Sequence, residues 1–189
     1  MKKIVLLIIV TILGACSTHS IVTDKPQTIK SITVTPTLIW NKVPSNLSIG
    51  GVPTWTADGI SLNSLSFFSD IKDGKTLIKA TKKEQFPIFK ADMLPTELVE
   101  LIESTLAKAY EAKVLSSGNL KPLKLGNDDG FEYTFDFVAG DELPRRGYIA
   151  GAVKNEKLHI IFYQAARLHY YDTRVGDVRD IIKTAAIKE

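Results

Sequence analysis

Cysteine and histidine are almost absent from the chain. Cys16 is the only cysteine among 189 residues, so no disulfide can form within the chain and packing must hold the fold together. The three histidines are His19, His159 and His169, and no pair has a tight ligand spacing such as i,i+4 on a helix. A metal site assembled from distant residues stays open, but the spacing itself predicts neither a metal nor a cofactor.

An excess of charge is also lacking. The chain has 24 basic and 21 acidic residues, a net charge of +3. Without Lys2 and Lys3, which belong to the N-terminal stretch considered next, 22 basic and 21 acidic residues remain. No basic stripe with interleaved aromatic residues is present, so the composition predicts no nucleic-acid partner.

The N-terminal stretch Met1–Cys16 carries the most specific signal. A positive start is followed by the apolar run 4–13, which is shorter than the roughly 20 residues that span a bilayer. The closing residues Leu13-Gly14-Ala15-Cys16 resemble the lipobox of bacterial lipoproteins. That resemblance implies a signal peptide over residues 1–15 and acyl chains such as palmitate on Cys16, which rules out a cysteine nucleophile. A plain signal peptide with a chance cysteine and an uncleaved anchor are the alternatives.

The residues after Cys16 predict where the protein lies. Ser17 follows the cysteine, whereas an Asp there would favour retention in the inner membrane in the lipoproteins that this pattern resembles. We therefore expect an outer-membrane lipoprotein that faces the periplasm. Residues 16–31 are rich in small and polar side chains, which favours a flexible tether between the membrane and the domain.

Residues 32–189 have the length and patterning of a single α+β domain. Apolar residues at spacings of three and four predict one helix from Pro95 to about Ala109 and a second from Thr173 to Ile187. Residues 131–137 alternate between aromatic and polar side chains, which is typical of a half-buried antiparallel strand. Further strands are expected over 60–71, 148–153 and 158–165, and Asp73-Gly74 predicts a hairpin turn into 76–78. Together these patterns predict an antiparallel sheet of about five to seven strands with two main helices packed on it.

The run from Leu120 to Ile187 resembles the C-terminal half of the PsbP-like α/β/α sandwich. The resemblance lies in the aromatic strand after Asp129-Gly130, the hairpin that ends in 158–163 and the closing helix after Tyr171-Asp172-Thr173. It implies a member of a group of mostly non-catalytic binding or assembly factors, several of which are lipoproteins. A fold resemblance alone does not assign a function.

Two hypotheses of function follow. The first is a non-catalytic envelope protein that binds a partner protein or small ligand through a rim near Trp55, Arg145 and His169. The alternatives for these residues are a core position for Trp55, solvent-exposed charges for Arg145 and its neighbour, and a loop or helix start for His169. The second hypothesis is a periplasmic hydrolase with an active site built from Asp136, His169 and Ser116 or Ser117.

Overall fold

A large antiparallel sheet forms the middle layer of the molecule. A computed structural model of the chain describes residues 20–79 and 85–188. In spatial order the strands of the large sheet are β1 (Ile21–Val22), β4 (Trp40–Lys42), β5 (Thr54–Thr56), β6 (Asn63–Lys72), β11 (Lys157–Ala166), β10 (Pro144–Lys154), β9 (Asp128–Val138) and β7 (Lys113–Ser117). A ninth strand, β8 (Lys121–Leu125), shares the outer edge of β9 with β7. The sheet therefore centres on the long strands β6, β9, β10 and β11.

Two helices cover opposite faces of this sheet. Helix α1 (Pro95–Ala109) packs with the aromatic residues of β9 on one face. Helix α2 (Tyr170–Lys183) packs on the other face, together with a small sheet of β2 (Gln27–Ile29), β3 (Ile32–Val34) and β12 (Ala186–Ile187). We call the two sides the α1 face and the α2 face. This α/β/α arrangement confirms the predicted α+β class, with more strands than the five to seven expected.

The alternating strand β9 shows how the sequence specifies the α1 face. Phe131, Tyr133, Phe135 and Phe137 are buried, whereas the residues between them are only partly buried. Strand β10 leaves room for the rings, because a methyl group built on Gly147 would lie 2.5 Å from the ring of Phe135. The aromatic side chains of β9 thus pack over the space that Gly147 leaves on β10.

The N-terminal boundary of the domain differs from the sequence expectation. Residues 16–31 were expected to form a tether, but Ile21–Val22 pairs with β4 and Gln27–Ile29 pairs with β3. Val22 is fully buried, because its side chain joins the core of the α2 face. Residues from Ser20 onward therefore belong to the packed domain. Cys16 and the signal sequence lie outside the described residues.

The expected hairpin at Asp73-Gly74 is also wrong. A turn does occur there, with Lys75 N donating to Lys72 O, but the chain after it does not pair with β6. Thr76 instead forms a bridge with Ile88, and Gly74 N donates to Phe89 O. The end of β6 next to this turn pairs with β11 on one side, and β5 reaches only Leu65 and Ser66 on the other, so the returning segment takes Ile88 and Phe89 as its partners instead of β6.

Helix α2 begins at Tyr170, three residues before the expected start, and ends at Lys183. The last residues of the expected helix form strand β12 instead. In the described part of the chain, neither helix has the length and apolar character of a membrane-crossing segment.

Candidate functional site

A cavity of about 440 Å³ lies on the α1 face, between the end of α1 and the chain around Ile49. Four polar side chains from three neighbouring strands form its base, which we call the polar floor: Thr54, Ser64, Ser66 and Gln164. Thr54 faces Ser66 across β5 and β6, and Ser64 faces Gln164 across β6 and β11. Register thus brings four uncharged polar groups together on a face whose core is mainly apolar.

Hydrogen bonds hold the polar floor in place. Thr54 donates to Val52 O at 2.9 Å, and the hydroxyls of Thr54 and Ser66 lie 3.0 Å apart. Gln164 Nε2 donates to Ser64 Oγ at 3.1 Å and to the hydroxyl of Tyr110 at 3.2 Å. Gln164 is only 4% exposed. Its Oε1 atom has no hydrogen-bond partner among the described residues.

Tyr110, which directly follows α1, links this helix to the polar floor. Its ring packs against Phe137 and Phe162, with ring centroids 6.1 and 6.5 Å away. Burial raises the pKa of the Tyr110 hydroxyl well above its usual value, against the opposing effect of the Arg145 charge. The hydroxyl therefore stays protonated and can act as a hydrogen-bond donor.

An ion pair forms one wall of the cavity. Arg145 is 6% exposed and donates two hydrogen bonds of 2.6 Å to the carboxylate of Asp141. It also donates to Leu143 O at 3.3 Å and Ser61 O at 3.2 Å. The hydrogen bonds from Arg145 lower the pKa of Asp141 to about 2, although partial burial opposes the shift. The opposite charges of Asp141 and Arg145 therefore cancel, and this wall adds no net charge to the cavity.

The three residues of the predicted binding rim do not form one site. Arg145 lines the cavity, but it is buried rather than solvent-exposed, because Asp141 and two carbonyl groups fill its hydrogen-bonding positions. Trp55 is 2% exposed and packs in the core of the α2 face, with its ring 4.6 Å from that of Phe67. His169 is exposed and precedes α2, where its ring lies beside that of Tyr170.

The residues of the hydrolase alternative do not form a hydrogen-bonded site among the described residues, although Ser116 lies opposite Asp136 in the pairing of β7 with β9. Asp136 accepts two hydrogen bonds from Arg146, at 2.6 and 3.0 Å, and these lower its pKa more than burial raises it. Ser117 donates to Glu103 Oε1 at 2.5 Å. No hydrogen bond within the described ranges connects His169 to either residue. Those ranges also contain no group of three metal-ligating side chains placed to bind a metal ion.

Sequence reasoning missed the polar floor, although two signals for it are present. Gln164 is a neutral polar residue inside the largely apolar strand 158–166. Ser64 and Ser66 alternate with Leu65 and Phe67, which is typical of a strand whose polar side faces solvent. In the structure, residues on both sides of this strand are buried, so the serines lie inside the protein.

Two solved structures are similar to this chain, and the first of them supports the fold. The solution structure of cyanobacterial PsbP (CyanoP) from Synechocystis sp. PCC 6803 matches with a TM-score of 0.56 and 12% identity, over 92% of this chain and 96% of that one. The crystal structure of LpqN, involved in cell envelope biogenesis of Mycobacterium tuberculosis, matches with a TM-score of 0.42 and 11% identity, over 93% of this chain and 88% of that one. No protein-family model and no curated protein sequence matches this chain.

The likeness to cyanobacterial PsbP shows that the chain shares the PsbP-like α/β/α fold. The sequence resemblance covered only Leu120 to Ile187, whereas the structural match extends over most of the chain. At 12% identity it concerns the fold and not the function.

Proposed function

We propose that the protein is a lipoprotein of the bacterial envelope whose domain binds a small ligand or a partner protein without transforming it. Acyl chains on Cys16 would attach it to the outer membrane, with the domain facing the periplasm. Several acyl chains are expected to give stable attachment, because each buried methylene contributes about 0.8 kcal/mol and a single chain is marginal.

The observation that carries the binding part of this proposal is the cavity on the α1 face. Its volume of about 440 Å³ lies within the range of about 300 to 1,000 Å³ that is usual for small-molecule sites. Buried polar groups at its base and apolar side chains such as Ile49 and Ile60 around them are the combination that such sites use. Asp136 and Ser117, two residues of the hydrolase alternative, have hydrogen-bond partners elsewhere, which favours binding over catalysis.

The attachment is tested by labelling cells with palmitate and separating inner from outer membranes by density. We expect the full chain to carry label and to fractionate with the outer membrane, and the Cys16→Ser variant to carry none. A Ser17→Asp variant is the matched control for location, and it should keep the label but move to the inner-membrane fraction. An unlabelled wild-type chain that begins at Met1 and stays soluble would refute the proposal.

Binding of a partner is tested by crosslinking in cells followed by purification of the acylated protein. A single envelope protein recovered with the wild type, and lost in the Cys16→Ser variant, would identify a protein partner. Hydrolysis of an ester or amide substrate that depends on His169 would contradict the non-catalytic assignment.

A further inference from the structure

The N-terminal boundary of the packed domain limits how far the domain can stand from a membrane. Ser20 is the first described residue, and its carbonyl oxygen accepts a bond of 3.0 Å from Lys42 N in β4. Cys16 precedes Ser20 by four residues, and four residues span at most about 14 Å when fully extended. A tether over residues 16–31 would have allowed about 50 Å. Acyl chains on Cys16 would therefore hold the β1 edge of the large sheet close to the lipid headgroups.

This edge carries a cluster of exposed apolar side chains. Ile21 in β1 lies opposite Asn41 in the pairing with β4. Ile39 precedes Asn41 by two residues and so lies diagonally across from Ile21, a separation of about 7 to 8 Å in a regular antiparallel pair. Ile21 and Ile39 are 60% and 66% exposed, and Leu38 beside them is exposed as well. We call Ile21, Leu38 and Ile39 the apolar edge.

The neighbours of Leu38 and Ile39 fix the position of this pair. Thr37 and Trp40 flank the pair, and both donate to the carboxylate of Asp177 in α2, Trp40 through Nε1 at 2.9 Å. Trp40 is also fully buried, so the backbone on either side of the two apolar residues is tied to the core. A segment held at both ends presents its exposed side chains to the surface that lies beside β1.

The composition around the apolar edge suits a bilayer. Single exposed apolar residues are common on soluble proteins, whereas adjacent ones mark contact surfaces. Three of the seven large apolar side chains that are exposed in the described residues belong to the apolar edge, so these side chains are concentrated there. The charged residues of the segment 20–47 are one aspartate and three lysines, all exposed: Asp24, Lys25, Lys30 and Lys42. Lysines beside exposed apolar side chains favour binding to anionic lipid headgroups.

We propose that the apolar edge docks on the bilayer to which Cys16 attaches the protein, with Ile21 and Ile39 entering the headgroup region. The inference rests on the proposed function, because it needs the acyl chains on Cys16, and it adds an orientation. The β1 edge of the large sheet faces the lipid, and the opposite edge, formed by β7 and β8, faces away from it. The short span between Cys16 and Ser20 supports the bilayer as the occupant, since it brings this surface to the edge whenever the protein is anchored.

The test uses the acylated full chain in vesicles of phosphatidylethanolamine and phosphatidylglycerol. Cys16 is the only cysteine and its thiol carries the lipid, so an introduced cysteine is the one thiol open to an environment-sensitive fluorophore. Ile39→Cys places the fluorophore on the apolar edge, and Asn119→Cys places it on the exposed link between β7 and β8. We expect iodide in the water to quench the fluorophore several-fold less at position 39 than at position 119. Spin-labelled lipids should quench it several-fold more at position 39.

Two further substitutions, each made together with Ile39→Cys, locate the contact. Ile21→Asp puts a negative charge beside the fluorophore, and we expect iodide quenching at position 39 to rise to nearly the value at position 119. Leu94→Asp is the matched control, because Leu94 is as exposed as Ile21 but precedes α1, which packs on β9 and β7 in the other half of the sheet. It should leave the quenching at position 39 unchanged. Equal effects of the two aspartates would refute the assignment to the apolar edge.

The remaining outcomes separate the two proposals. Equal iodide quenching at positions 39 and 119, in vesicles that hold the acylated chain, would overturn the inference and leave the anchor standing. Protection at position 39 that is lost when the protein is diluted among the lipids would assign the edge to a second copy of the chain, which also overturns it. A wild-type chain that carries no palmitate would instead refute the proposed function itself.

Discussion

The two faces of the large sheet differ in whether their polar side chains have hydrogen-bond partners. On the α2 face, Asp177 accepts bonds from Thr37 and from Trp40 Nε1, the latter at 2.9 Å, and Asp136 accepts two bonds from Arg146. On the α1 face, two buried atoms, Gln164 Oε1 and the Tyr133 hydroxyl, have no partner within the described residues. The α2 face is thus a completed structural core, whereas the α1 face has polar capacity that the chain itself does not use.

The pairing on the α2 face also ties α2 to the rest of the fold. Arg174 in α2 donates two bonds of 3.2 Å to Asp58, and the guanidinium of Arg146 in β10 lies 5.6 Å above the ring of Tyr171. Helix α1 lies over aromatic side chains and leaves the cavity at its end. The comparison teaches that the charged side chains named here pair within the chain on the α2 face, whereas two buried polar atoms of the α1 face have no partner among the described residues.

The largest effect is expected from breaking the polar core of the α2 face. Asp177→Ala removes the acceptor of Thr37 and leaves the buried N–H of Trp40 unpaired. We expect the free energy of unfolding to fall by about 3 kcal/mol, because buried bonds to a charged group are lost and a donor is left unsatisfied. Urea denaturation of the variant measures this difference.

Asp180→Ala is the control for that prediction. Asp180 lies one turn away on α2 and pairs with Lys183 at 2.7 Å, but its side chain is 52% exposed. Its replacement should change the free energy of unfolding by less than about 0.5 kcal/mol. Equal losses in the two variants would show that the bonds of Asp177 are not what completes the α2 face.

A smaller loss is expected where the α1 face is tightly packed. The methyl group of Gly147→Ala would lie 2.5 Å from the ring of Phe135, so we expect a loss of about 2 kcal/mol from overpacking. Gly176→Ala is the matched control, since nothing lies within 4 Å of its added methyl group on α2. That variant should gain about 0.5 to 1 kcal/mol from helix propensity. Thermal unfolding of both variants measures these changes. If Gly147→Ala left the stability unchanged, the ring of Phe135 would have room to move away from β10.

The sequence predicted the elements whose pattern is local. The alternation over 131–137 corresponds to β9, and the three- and four-residue spacing after Pro95 corresponds to α1. The short strands β1 and β2 were missed, because two or three residues carry no period. Val22 is buried through pairing and packing with residues far along the chain, which the composition of a Ser- and Thr-rich segment does not reveal.

The candidate site was less predictable than the fold, because register creates it. Thr54, Ser64 and Gln164 are separated in sequence by up to 110 positions, and only the pairing of β5, β6 and β11 brings them together. Arg145 was identified as a chemically capable residue, but its burial depends on Asp141, on the nearby carbonyl of Leu143 and on the distant carbonyl of Ser61. Residue types alone cannot indicate such partners.

The ion pair between Asp141 and Arg145 makes the stability of the α1 face depend on pH. The pKa of Asp141 is about 2 in the fold, against about 3.9 in an unfolded chain. A lowered carboxyl pKa stabilises the fold above pH 4, and this contribution is lost as the pH falls from about 4 to 2.

We therefore expect Asp141→Asn to lower the free energy of unfolding at pH 7 by at most about 1 kcal/mol, since the Asp141 side chain is 52% exposed. The difference from the wild type should disappear near pH 2. Melting temperatures of the two proteins between pH 2 and 7 measure it. A difference that does not change over this range would contradict the assigned pairing with Arg145.

The smallest change in the free energy of unfolding is expected for Tyr133→Phe. This substitution removes one oxygen atom and so tests the difference between the two faces at a single hydroxyl group. The Tyr133 hydroxyl is buried without a partner on the α1 face, whereas the Tyr148 hydroxyl, on the α2 face, donates to Glu132. Tyr133→Phe removes an unsatisfied group, so the free energy of unfolding should stay unchanged or rise by about 0.5 kcal/mol, while Tyr148→Phe should lower it by about 1 kcal/mol. Urea denaturation of both variants measures the two changes. If Tyr133→Phe lowered the free energy of unfolding as much as Tyr148→Phe, the Tyr133 hydroxyl would have a hydrogen-bond partner in solution. Gln164 Oε1 would then be the one remaining atom that distinguishes the polar groups of the α1 face from those of the α2 face among the described residues.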